Sequence, residues 1–313
     1  MRVLLTGATG VLGRSALRSL LAAGHEVRGV VRDDIKAQRL VAAGAEPVRV
    51  DLFDGVAVTD AVAGVDAVLH LATNVPPMSK MAFPAAWRTH NRLRTDATRN
   101  LLDGARTHDV QTFIKESITF TYPDRGDEWI DESVPPNESV KMLRPTLEGE
   151  RLVARFGTDG GRGVVLRFGL FYGPENRSTD EALSLARARI GPLPGAPDGF
   201  VSSIHVEDAA AAVVSALNVP SGVYNVVDDE PLTRRDYSDV FAAAFDLPTL
   251  HITPGAALRV VGGSGAKALT SSQRVSNQRM RTTTGWAPTY PSAREGWVAV
   301  AATRSEARKE GVE

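Results

Sequence analysis

Near its amino end the chain reads TGATGVLG, with Gly7, Gly10 and Gly13 set three residues apart. This octet follows the apolar run RVLLTG and precedes GRSALRSLLAAG, whose apolar residues recur at helical spacing and which Gly24 closes. Strand, glycine turn and helix in that order form the unit that lets a backbone approach a pyrophosphate. The glycines allow the tight turn and the close helix–strand contact, and the helix start offers unpaired N–H groups and a positive dipole end. Gly7, Thr9, Gly10, Val11, Leu12 and Gly13 are therefore the expected phosphate-binding residues.

After this unit, strand and helix patterns alternate. EVRGVVR, EPVRVDL, DAVLHLA and TFIKES read as strands. DIKAQRLVAAG, VTDAVAG and a longer stretch from about Trp87 to His108 read as helices. Such alternation implies an α/β fold, a Rossmann-like doubly wound parallel sheet covered on both faces. The second half is less regular. GVVLRFGLFYG and GVYNVVD read as strands, and VEDAAAAVVSAL and TRRDYSDVFAAAF as helices, the latter capped by Thr233. The expected division is a dinucleotide-binding domain over 1–170, with 201–228 returning to it. A small C-terminal α/β substrate lobe takes 171–200 and 229–305, and 306–313 form a flexible tail. The glycine- and serine-rich VVGGSGAKALTSSQ is expected to be mobile.

Composition excludes several classes of function. The net charge of −1 offers no basic surface for nucleic acid or an anionic membrane. There is no cysteine, which removes disulfides and thiolate chemistry and fits a cytoplasmic location. The apolar run at the amino end is too short for a signal-peptide core, and no apolar stretch is long enough to span a bilayer. The 30 arginines against 6 lysines read as codon bias. The six histidines lack metal-site spacing.

The end of the second strand helps select the cofactor. NAD sites often place an acid there for the ribose hydroxyls. This chain has Arg32, with Lys36 four residues on, two cations suited to a 2′-phosphate. NADP is the expected cofactor, with NAD as the other option; the competing reading pairs Arg32 with Asp33 or Asp34. Asp51 and Leu52 are expected at the adenine, Ala72 along the pyrophosphate and Ser117 at the end of the fifth strand. His70 reads as a packed strand residue.

With these segments in hand, the chain resembles the extended short-chain dehydrogenase/reductase superfamily, of the NAD-dependent epimerase/dehydratase type. The resemblance rests on TGATGVLG, VRVDLFD, DAVLHLAT, TRNLLDGA, LRFGLFYGP, SSIHVEDAAAAVVSAL, GVYNVVDDEPLT and SNQRMRTTTGWAPTYPS. It implies a Tyr-x-x-x-Lys pair on a helix, a hydroxyl at the end of the fifth strand and an asparagine on the preceding helix. None of Tyr122, Tyr172, Tyr224, Tyr237 and Tyr290 has a lysine four residues on. In KMLRPTLEGER the resemblance puts Met142 at the tyrosine position, Thr146 at the lysine position and Glu150 at the family's following glutamate. Pro145 predicts that the helix starts there. Ile118 falls at the hydroxyl position, between Ser117 and Thr119. Arg94 falls at the asparagine position, with Asn91 nearby.

The remaining proton-handling candidates are Tyr122, Thr119 and Thr146. Tyr122 has packing as its competing role, and Lys141 reads mainly as a surface lysine. His205 reads as structural, Glu207 and Asp208 as helix-start acids, and Arg274 as an anion contact or a tie for the C-terminal segment. Three functions stay open: an NADP(H)-dependent oxidoreductase acting on a small molecule, a redox-neutral isomerase, cyclase or dehydratase, and a non-catalytic NADP(H) sensor or partner protein. The expected partner is a small-molecule substrate, and a homodimer is one option for assembly. PPMSKMAFP and the lack of a sugar-nucleotide signature lean the substrate towards a hydrophobic metabolite.

Overall fold

Runs of Val, Leu and Ile that are apolar on both faces can be buried only inside a sheet covered on both sides. The computed structural model describes residues 1–77, 80–81, 83–255 and 267–309, and these runs form its central strands. In chain order the strands are β1 (Arg2–Thr6), β2 (Glu26–Val31), β3 (Glu46–Arg49), β4 (Ala67–His70), β5 (Thr112–Ile118), β6 (Trp129–Ile130) and β7 (Arg162–Phe168). They continue with β8 (Leu170–Tyr172), β9 (Phe200–Val201), β10 (Ser203–His205), β11 (Gly222–Val226), β12 (Leu232–Thr233) and β13 (Arg274–Val275). Seven of them make one sheet in the order β11-β7-β5-β4-β1-β2-β3. β3–β2, β2–β1, β1–β4 and β4–β5 pair in parallel, so that His70 lies between Thr6 and Lys115. The chain moves outward from β1 through β2 and β3, then returns to β4 on the other side. That reversal is the switch point at which open α/β sheets bind ligands beyond the carboxyl ends of their strands.

The helices are α1 (Val11–Ala22), α2 (Asp34–Ala42), α3 (Gly55–Val62), α4 (Arg88–Arg92), α5 (Thr98–Thr107), α6 (Arg144–Thr158), α7 (Arg177–Arg187), α8 (Val206–Ser215), α9 (Arg234–Ala244), α10 (Gln278–Thr284) and α11 (Ala293–Lys309). Several start at side-chain caps. Asp33 accepts from the Lys36 N–H, Asp54 from Val56 and Ala57, and Thr233 from Asp236. Pro145 sits in the first turn of α6, where its missing N–H costs nothing.

Two elements differ from their sequence patterns. The long helix expected over Trp87–His108 contains a π turn at Leu93–Ala97, between α4 and α5. At this turn the Leu93 carbonyl takes side-chain partners, His70 Nε2 at 3.0 Å and Thr98 Oγ1 at 3.3 Å. GVVLRFGLFYG breaks at Gly169 into β7 and β8. A Cβ there would lie 2.7 Å from the Ser202 carbonyl oxygen, and β8 leaves the large sheet to pair with β10.

The chain forms two compact units. The first comprises Met1–Ser117, Met142–Arg167 and Ala210–Tyr224; the second comprises Ile118–Lys141, Phe168–Ala209 and Asn225–Glu313. The core of the first gathers Leu4, Val58, Val68, Leu101, Phe113 and Val153. That of the second gathers Tyr172, Val201, Tyr237, Phe241, Trp297 and Val300. Each such side chain contributes roughly 1.5–3 kcal/mol of burial. Residues 78, 79, 82, 256–266 and 310–313 lie outside the described residues. They include parts of PPMSKMAFP, of the stretch expected to be mobile and of the expected tail, of which α11 covers the portion up to Lys309. No described helix is long and apolar enough to cross a membrane.

Candidate functional site

In the first unit the glycine turn sits at the switch point. Gly7 has φ +76°, and a Cβ on it would lie 2.8 Å from Ala72 and Leu71 backbone atoms. A Cβ on Gly13 would overlap the Gly7 carbonyl oxygen. The Gly10 N–H donates to that same oxygen at 2.8 Å, and the Gly10 carbonyl accepts from Arg14 N–H. Gly10 is also the N-cap of α1, with no side-chain cap and no acid in the first turn. Val11, Leu12 and Gly13 therefore present N–H groups that have no partner within the helix. A phosphate fits this donor set and dipole end, and no side chain competes with it.

The residues expected to select the cofactor follow β2 and β3. Arg32 is exposed just beyond β2, whereas Lys36 Nζ is held by Asp33 at 2.8 Å. The expected pair of cations is thus one exposed arginine and one engaged lysine. Asp51 accepts from the Phe53 N–H at 3.0 Å. Asn100 donates to the Leu52 carbonyl at 3.0 Å, and the Arg92 guanidinium lies 3.8 Å from the Phe53 ring centre. These contacts anchor the loop after β3 to α4 and α5.

Below the carboxyl end of β5 lies a buried cluster of charges. Arg94 is 2% exposed. Its Nη1 donates to Glu116 Oε2 at 2.5 Å and to the Glu116 carbonyl at 2.7 Å. Arg167 grips Glu150 through Nε at 3.0 Å and Nη2 at 2.6 Å, and Ser117 Oγ donates to Glu150 Oε1 at 2.5 Å. Lys115 lies among them, and burial, reinforced by Arg94, lowers its pKa to about 7 against the opposing pull of Glu116 and Glu150.

Two buried histidines border the cluster. A carbonyl only accepts, so His70 Nε2 carries the proton given to Leu93, and Nδ1 accepts from Thr6 Oγ1 at 2.7 Å. Burial holds His70 well below the usual histidine range and, with Arg94 and Lys115 adding to it, brings His90 to about 3. Both are neutral in the fold. Between about 3 and 6.5 the unfolded chain binds more protons than the folded one, so stability rises with pH across that window and is lost as pH falls through it. The urea midpoint is expected to drop between pH 6.5 and pH 4, and His90→Asn is expected to reduce that drop.

Of the expected proton donors, Thr146 is 2% exposed on α6 in the first unit, and Thr119 and Tyr122 belong to the second. Tyr122 is 1% exposed and packs with Ile130, Val227 and Val275. Its hydroxyl donates to Asn225 Oδ1 at 2.9 Å. The phenol is therefore committed to packing and a structural hydrogen bond. His205 meets Tyr172 edge-on and Tyr290 at a tilt, and its Nδ1 accepts from the Glu207 N–H at the start of α8. Asp208 accepts from the Thr289 and Tyr290 N–H groups. Arg274 lies 4.2 Å from the Trp129 ring centre, which makes it a tie within the second unit. That unit also contains a cavity of about 800 Å³, lined by Pro197 and Ile252 together with Asp124, Asp127 and Asp198.

Residues 3–226 match the model of the NAD dependent epimerase/dehydratase family. The chain belongs to that family. A 3-diazoavenalumate denitrifying reductase of a Streptomyces species is 34% identical, over 95% of this chain and 99% of the relative. A 2-alkyl-3-oxoalkanoate reductase of Stenotrophomonas maltophilia is 27% identical, over 79% and 77% of the two chains. Among solved structures, a human epimerase family protein with NADPH superposes with a TM-score of 0.81. It covers 96% of this chain and 99% of its own at 23% identity, a likeness of fold.

The family is NAD(P)-dependent, and the N–H donor set of the glycine turn fits the phosphates of such a dinucleotide. The candidate residues of the first unit, from Gly7 to Ala72 together with Ser117 and Thr146, lie within one compact body. Sequence reading missed Lys115, Glu116 and Arg167. The available signal was FIKES, which places a lysine and a glutamate inside a strand whose parallel neighbours are apolar. Charges at such positions are almost never fully buried unless paired.

Proposed function

We propose that this chain is an NADP(H)-dependent reductase of a small electrophile whose reduction needs no proton from a tyrosine. The observation that carries this reading is the start of α6. There Met142, Pro145 and a buried Thr146 stand at the positions where the resemblance expects the Tyr-x-x-x-Lys pair. Gly7, Thr9, Gly10, Val11, Leu12 and Gly13 would hold the pyrophosphate, with Ala72 against it and Asp51 and Leu52 beside the adenine. Arg32 would bind the 2′-phosphate, with Lys36 joining it on release from Asp33. Ser117 and Thr146 would line the nicotinamide side, and the second unit would hold the substrate.

When bound, the reduced dinucleotide would supply a hydride, which on a diazonium carbon would displace dinitrogen as N₂ and leave a C–H bond and the oxidised dinucleotide. No alkoxide forms in such a reduction, so neither a phenol nor a strand hydroxyl is required. The diazo substrate in the Streptomyces relative's name supports this substrate class. The chain's own work would then be binding, orientation and exclusion of water. Asp124, Asp127 and Asp198 in the second unit's cavity suit a cationic or hydroxylated substrate better than a nucleoside diphosphate sugar.

The test begins with fluorescence titration of NADPH and NADH. NADPH is expected to bind more tightly by roughly tenfold or more, the worth of one charge-assisted hydrogen bond. Arg32→Asp is expected to remove that preference. NADPH oxidation would then be followed with an arenediazonium carboxylate, a 3-oxo acid and UDP-glucose. Dinitrogen release matching NADPH loss supports the reading. Turnover of the oxo acid alone would overturn the diazo assignment, and binding without any turnover would favour a sensor.

A further inference from the structure

Lys115 is 1% exposed in the middle of β5, at a strand position that parallel sheets normally fill with an aliphatic residue. Helix α6 makes room for it: a Cβ on Gly149 would lie 2.5 Å from Lys115 Cε and 3.4 Å from Nζ. The surrounding charges do not account for the lysine. Glu116 is satisfied by Arg94 and Glu150 by Arg167, which leaves Lys115 as a third cation beside two anions. His70 and His90 are neutral. Among the described residues Lys115 makes no hydrogen bond and no ion pair. An isolated buried ammonium is costly, and a methionine would fill the same space without that cost.

The lysine is also close to the candidate site. Gly149 lies three residues beyond Thr146, on the same buried face of α6. Ser117, two residues beyond Lys115, is bonded to Glu150, one of the two carboxylates that act on the amine. A lysine stem reaches roughly as far as two residues of strand, ~6–7 Å, enough to approach the carboxyl end of β5.

We propose that the Lys115 amine is a cofactor-binding group, holding the ribose hydroxyls of the nicotinamide half from the strand side, in the space that Thr146 leaves on α6. This rests on the dinucleotide reading above. It assigns the amine to a strand residue, where the resemblance expects it on the helix. With the amine near pH 7 in the free protein, donation to a ribose oxygen favours the charged form and raises its pKa. Binding should therefore take up a proton near neutral pH, and affinity should fall as pH rises above 7. The charged and titratable groups facing the amine are Glu116 on β5, Glu150 on α6, Arg94 and His90 from the helix before α5, and His70 on β4.

The experiment is NMR of protein labelled with carbon-13 lysine, which has only six lysines to resolve. One Cε signal, absent in Lys115→Met, is expected to titrate near pH 7 and to move to higher pH on addition of NADP⁺. Lys115→Met is expected to weaken NADPH binding about 10- to 100-fold without lowering the melting temperature, and Lys115→Arg to recover part of that loss. A Lys115 signal indifferent to NADP⁺, or a Lys115→Met affinity within about twofold of wild type, overturns the proposal while leaving the cofactor reading intact. If the wild-type protein binds neither NADPH nor NADH, both fail together.

Discussion

Gly13→Ala is expected to remove measurable NADPH binding under conditions in which the wild-type protein saturates. The added methyl group would overlap the Gly7 carbonyl oxygen and come 2.9 Å from Ala8 Cα, both backbone atoms that no rotamer change can move aside. The first turn of α1 must then shift away from the glycine turn. The N–H groups of Val11, Leu12 and Gly13 shift with it, and a pyrophosphate loses several charge-assisted hydrogen bonds at once. Two such bonds at about 1.5–3 kcal/mol each amount to a loss on the order of a hundredfold or more. Overpacking adds its own cost of about 1–3 kcal/mol in stability. Fluorescence titration reads the first effect and urea unfolding the second. Retained tight binding would mean that the cradle is not the phosphate site.

The second large effect concerns the buried ion pairs. Arg94→Met leaves Glu116 in the interior without the guanidinium that takes both its carboxylate and its carbonyl. Breaking one side of a buried pair typically costs about 3–5 kcal/mol. The lower end is expected here, because Lys115 is an immediate second cation. The lost arginine charge also stops depressing the amine, so the Lys115 pKa should rise in the variant. Arg94→Met combined with Glu116→Gln is expected to recover most of the loss, since an uncharged pair carries less desolvation penalty. The urea midpoints of the two single variants and the double variant form the cycle. A loss in the double variant equal to the sum of the two single losses would mean that the pair carries no coupling.

The sheet and cradle were legible because local pattern and global fold agree. Three glycines between an apolar run and an amphipathic one have few other solutions, and short runs of Val, Leu and Ile alternating with helical stretches imply parallel strands. What escaped reading was set by contacts distant in sequence. Gly169 breaks a continuous apolar run because the Ser202 backbone approaches it closely, and periodicity within the run holds no trace of that. Tyr122 reads as a proton donor by position, and only its seat against Asn225 gives it a packing role. Lys36 reads as a free cation beside Arg32, whereas in the structure Asp33, three residues before it, pairs with it at the surface. Lys115 and Glu116 were visible as charges in a buried strand, yet the Arg94–Glu116 and Arg167–Glu150 pairs beside the lysine bring together the π turn, β5, β7 and α6, which no spacing rule connects.

That π turn also governs how the family can vary. The five-residue turn at Leu93–Ala97 contains one residue more than an α-helical path would need. Deleting a residue there would turn Arg88–Arg92 by about 100° relative to Thr98–Thr107. His90 and the Leu93 carbonyl would turn with it, leaving the His70 Nε2 proton unclaimed. A homologous sequence with a one-residue gap at this place should therefore also have replaced His70, His90 and Arg94. Helical phase makes a histidine of β4 and an arginine over β5 a single heritable unit.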